Sequence, residues 1–79
     1  MIKKASDLIK NESGIIENIS GYKNELECMG LTKGCSIKAA SEKNDKMTVI
    51  SIADKPKSEI ILLNSVASEI AVQVHSPKN

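Results

Sequence analysis

Gly30 is the residue that most restricts how this chain can fold. It follows Leu26-Glu27-Cys28-Met29 and precedes Leu31. Glycine enters the left-handed backbone region at little steric cost, so it commonly ends a helix. With Gly30 in that role, a Schellman ending brings Leu26, in the last turn, against Leu31. The segment before it reads as a short helix over Tyr22 to Met29. Tyr22, Leu26 and Met29 recur at i, i+4 and i+7 on one face.

The other apolar segments carry strand patterns. Gly14 to Gly21 is rich in isoleucine and bounded by glycines, which predicts the first strand. Ile16 and Ile19 fall on opposite faces of a regular strand, so a bulge or strong twist is expected there. Thr32-Lys33-Gly34 is a turn. Cys35 to Ala40 alternates as a half-buried strand, with Ile37 and Ala39 on one face. Ser41 to Lys46 is a hairpin loop, and Met47 to Ala53 is the next strand. Asp54 to Ser58 holds Pro56 among lysines and reads as a surface loop. Glu59 to Leu63 reads as a strand buried on both sides. Asn64 to Ser68, opening with a capping residue type, reads as one helical turn. Ile70 to Val74 closes the set. Met1 to Lys4 reads as a frayed end. Ser6 or Asp7 would cap a further helical turn, and Asn11 suits a left-handed turn position.

Five short strands without crossover helices cannot make a parallel sheet. The expected fold is mainly β: a small SH3-like five-stranded antiparallel barrel. One short helix lies between its first two strands and one helical turn before its last. Closure into a barrel would remove the exposed edges.

At 79 residues the chain has room for one domain, 1–79, with an ordered core over about 6–74 and a polar tail over 75–79. A domain of this size buries only roughly 60–65% of its unfolded surface. Eleven Ile, five Leu and four Val supply the apolar bulk, and Tyr22 is the only aromatic residue. Such β-branched side chains suit strands. Eleven Lys face ten acidic residues, there is no Arg, and the net charge is +1. Nucleic-acid binders show a basic excess, Arg forks and stacking aromatics, so that class is excluded. No apolar run approaches the roughly 20 residues of a membrane span. Met1-Ile2-Lys3-Lys4 lacks the apolar stretch of a signal peptide. A cytosolic location is expected, with Cys28 and Cys35 as reduced thiols.

Leu26-Glu27-Cys28-Met29-Gly30-Leu31-Thr32-Lys33-Gly34 resembles the Leu-x-x-Met-Gly-Leu-x-x-Gly signature of the ferrous iron transport protein A (FeoA) family. The same domain type occurs at the C-terminus of some metal-dependent repressors. Ser6-Asp7-Leu8, Gly14 to Gly21, and the spacing of Ile60, Leu62, Ala67, Ile70 and Val72 are similar to that family as well. The resemblance covers roughly residues 6 to 74. Lys33 stands where the family often has Pro, and Asn11 where a turn Gly is common. Arginines often seen beside the signature are absent, and Lys23 is the only basic residue of the short helix. The resemblance implies a non-enzymatic accessory of ferrous iron uptake. Its implied partner is the cytosolic GTPase part of the FeoB-type membrane transporter. Self-association stays open.

Leu26, Met29, Gly30, Leu31 and Gly34 form the expected partner-binding strip. The plainer reading of Leu26 and Leu31 is that they staple the helix to the barrel. Met29 and the backbone near Gly30 and Gly34 are then the contact residues. An alternative is a metal-responsive module, a carrier or repressor-type effector domain. It needs Cys28, Cys35 and His75, the only soft ligands, to converge. Nothing in their spacing demands that, so no metal site and no cofactor is expected. Gly30-Leu31-Thr32-Lys33-Gly34 lacks the residue order of a phosphate-binding loop. No nucleophile stands with a positioned base, so no catalytic residue is assigned.

Overall fold

Short strands of alternating pattern need a sheet that curls tightly enough to bury one face of each. The computed structural model describes residues 1–75 and has that form. The elements in chain order are β1 (Ile2–Lys4), a 3-10 turn (Ala5–Asp7), β2 (Ser13–Ile19), α1 (Lys23–Cys28) and β3 (Ser36–Ala39). They continue with β4 (Met47–Ile52), β5 (Lys55–Leu63), α2 (Asn64–Ala67) and β6 (Ile70–Val74). The sheet is mainly antiparallel β in SH3-like style, with strand order β1-β6-β2-β3-β4-β5 and every pairing antiparallel.

The core is aliphatic throughout. Ile16, Leu26, Leu31, Ile37, Ile50, Ile70 and Val72 are its largest fully buried side chains. The 3-10 turn packs on β4 and β6, and α2 packs on β4 and β5, so the two short turns plug the curl. The irregularity expected between Ile16 and Ile19 is present. The register of β2 on β6 shifts between Ile16 and Asn18, and both isoleucines are buried as a result.

Several expectations need correction. Met1 to Lys4 is not a frayed end, because Ile2–Lys4 pairs with Gln73 to Ala71 of β6 as a sixth strand. The loop expected over Asp54 to Ser58 is mostly strand. β5 begins at Lys55 and runs through Pro56, which an edge strand tolerates because it need not donate on both sides. Glu59 to Leu63 is not buried on both sides. Leu62 is buried, whereas Ile61 and Leu63 are 65% and 64% exposed, as one face of an end strand must be. Among the described residues β1 and β5 are the two ends of the ladder, so the curl does not close every edge.

Neither helical turn is capped by the expected side chain. The N-cap of the 3-10 turn is Lys4, and that of α2 is Leu63. Asn64 instead accepts from the Thr48 hydroxyl at 2.7 Å and donates to the Asn44 carbonyl at 2.6 Å. The first bond satisfies Thr48, a buried polar residue, and the second ties the β3–β4 loop to α2.

Candidate functional site

Tyr22 starts the site, but not as a helical residue. It is the N-cap of α1 in the left-handed region, at φ 59° and ψ 31°. Its side chain is half exposed, so the expected stripe Tyr22, Leu26, Met29 is not one buried face. Of these three only Leu26 turns inward.

The helix end follows the expected geometry in detail. Gly30 has φ 89°. Its N–H donates to the Glu27 carbonyl at 3.0 Å, and the Leu31 N–H donates to the Leu26 carbonyl at 2.9 Å. These are the two bonds of a Schellman ending. Leu26 and Leu31 are both wholly buried. Their place is therefore in the core, holding α1 on the sheet. Met29, the residue before the turn, is 45% exposed.

Residues 32 to 35 make a second tight turn, in which Cys35 N–H donates to the Thr32 carbonyl at 3.0 Å. Gly34, at φ 90°, donates to the Ile16 carbonyl at 2.8 Å, and Ile16 N–H returns a bond to Cys35 at 2.8 Å. The backbone N–H groups of Gly30 and Gly34 are thus both spent inside the fold. What these glycines offer at the surface is shape. An added Cβ on Gly34 would meet nothing within 4 Å, and one on Gly30 would first meet Ile52 Cδ1 at 3.5 Å.

Gly30 and Gly34 line one wall of an open groove of about 420 Å³. Its far wall is the β4–β5 turn, with Ile52, Asp54 and Lys55. Sequence reading did not reach that wall, because Ile52 and Asp54 are more than 20 residues from Gly30 and only sheet pairing brings them near. Lys33, Asp54 and Lys55 are exposed around it, so the rim carries both charges.

The candidate metal ligands are not gathered. Cys28 is exposed at the end of α1, and Cys35 is partly buried with its thiol 3.7 Å from the Gly30 carbonyl. His75 lies past the end of β6, where its N–H donates to Ser13. Among the described residues no group of three or more His, Cys, Asp or Glu stands close enough to hold a metal ion. No helix among them is long and apolar enough to cross a membrane.

Away from the groove, Glu12 closes the turn that follows the 3-10 segment. Its carboxylate accepts from the Ile9 N–H and the Lys3 ammonium, each at 3.0 Å. The Ile9 bond, helped by the Lys3 hydrogen bond and charge, outweighs the opposing effect of burial. The carboxyl is held below its usual range.

The family model described as FeoA domain matches residues 4–74. The crystal structure of an iron uptake regulatory protein (FeoA) superposes with a TM-score of 0.83 at 23% identity, over 95% of this chain and 99% of that one. The solution structure of a FeoA-like protein from Clostridium acetobutylicum gives 0.79 at 13% identity, over 99% and 92%. A manganese-dependent transcriptional repressor gives 0.76 at 13% identity, over 90% of this chain and 40% of the repressor. At such identities these likenesses concern the fold. No curated protein sequence matches the chain.

Proposed function

The chain belongs to the FeoA domain family, matched over residues 4–74, and we propose from that premise that it serves ferrous iron uptake by docking on the cytosolic GTPase part of an iron transporter. In this reading it works in the cytoplasm, takes no cofactor and catalyses nothing. It changes its partner by occupying a surface. Met29 is the anchor, with the contours left by Gly30 and Gly34 beside it. Leu26 and Leu31 set the angle at which that surface is presented.

The observation that carries the proposal is the exposure of Met29 at the end of a fully bonded turn. An adaptable, polarizable side chain suits a recognition contact, and the bonded turn that carries it needs no backbone ordering on binding. The groove next to it accepts a small protrusion from the partner without rearrangement. Immobilised protein should retain the transporter's GTPase domain, and Met29→Glu should release it. Retention equal for both proteins would remove this surface from the mechanism.

A further inference from the structure

The groove beside Gly30 and Gly34 carries charges that the fold itself does not use. Lys33, on the turn over residues 32 to 35, and Lys55, at the start of β5, both line it and are exposed. Asp54 lines it next to Lys55. The ion pairs among the described residues are Lys3–Glu12 and Lys43–Asp7. Neither groove ammonium is paired among those residues, and nor is the Asp54 carboxylate. Two cations against one anion leave the groove net positive.

Backbone donors add to that balance. Among the described residues, the N–H groups of Thr32 and Lys33 donate to no backbone carbonyl, whereas those of Leu31, Gly34 and Cys35 all do. The turn is fixed by Cys35 donating to Thr32 and Gly34 donating to Ile16, so its donors are in place before anything binds. Successive N–H groups in a turn favour an anion. The groove also has an apolar part, since Ile52 is buried and Cys35 half-buried along it.

We infer that this groove receives an aspartate or glutamate side chain from an acidic segment of the partner protein. The inference rests on the docking proposed above and names the chemistry of what enters beside Met29. The incoming carboxylate meets Lys33, Lys55 and the donors of the turn, while its hydrocarbon stem lies over Ile52. Asp54 moderates the attraction. It opposes a phosphate group, with its nearly two charges, more strongly than a single carboxylate. A basic segment would meet two cations for one anion and is disfavoured.

Biolayer interferometry against the transporter's GTPase domain, at about 50 mM and about 500 mM salt, tests this across the range in which exposed charges become screened. The parent should bind more weakly at the higher salt. Lys33→Glu with Lys55→Glu should weaken binding about tenfold at low salt, chiefly through slower association. Asp54→Asn should tighten it about two- to threefold, as expected for one exposed charge. All three residues are exposed, so thermal melts should match the parent. An affinity indifferent to salt overturns the inference, and that measurement needs no variant. So does unchanged binding by the double lysine variant. Tighter binding by that variant, or weaker binding by Asp54→Asn, would assign the groove to a basic segment instead. If Met29→Glu releases the domain while the lysine variant holds it, the docking stands and the acidic occupant falls. A parent that does not bind overturns both.

Discussion

Leu31 returns its backbone N–H to the carbonyl of Leu26 across Gly30, and the two side chains are buried together in the core cluster. This single junction fixes where α1 stops and how it lies on the sheet. Only a residue at ease with φ 89° can stand between them.

Gly30→Ala should therefore destabilise the fold by about 1–2 kcal/mol, the cost of a left-handed alanine. Leu26→Ala should cost more, about 2–5 kcal/mol, because it leaves a cavity in the core. Urea unfolding of both variants checks the order. A Gly30→Ala protein as stable as the parent would show that the turn contributes nothing.

A second glycine acts by closeness. Gly14 is buried in β2, and a Cβ there would run into the Gln73 carbonyl and come within 2.8 Å of Val72 Cγ1. The backbone of β6 cannot yield as a side chain tip could. Gly14→Ala should cost about 3 kcal/mol through overpacking. Thermal denaturation of that variant should show the loss, and an unchanged midpoint would mean that the β2–β6 spacing is looser than described.

Glu12 supplies the pH dependence. Its carboxyl is depressed in the folded chain, chiefly by the Ile9 N–H and also by Lys3. The unfolded chain therefore binds its proton more readily. The stability this contributes is complete above the unfolded carboxyl's value, and is lost as pH falls through the lower folded value. Glu12→Gln should cost about 1 kcal/mol at neutral pH, where one charged acceptor is lost. The difference from the parent should shrink on acidification below about pH 4, the ordinary carboxylate range. Unfolding midpoints across pH measure it, and a constant difference down to strong acid would contradict the assignment.

Much of this fold was legible because its signals are local. The glycine turn, the bulge in β2 and the alternation of β6 are each written within ten residues. What escaped depends on partners far along the chain. Ile2–Lys4 is a strand only because β6 lies about 70 residues away to receive it. Pro56 reads as a breaker unless β5 is known to be an edge. Ile60-Ile61-Leu62-Leu63 looks like an interior run for the same reason, and its outer face is exposed instead. At the candidate site the helix end was readable, while the opposite wall at Ile52, Asp54 and Lys55 is brought there by the β3–β4 pairing, Ile37 opposite Ile52. Tyr22 was misplaced because a bulky left-handed N-cap is rare.

The docking of Met29 is tested most directly by titration calorimetry of the chain against the transporter's GTPase domain, with thermal melts alongside. The parent should bind, and Met29→Glu should bind at least about tenfold more weakly with an unchanged melt, as for an exposed anchor residue. Equal affinity for the two proteins, or no binding by the parent, would contradict it.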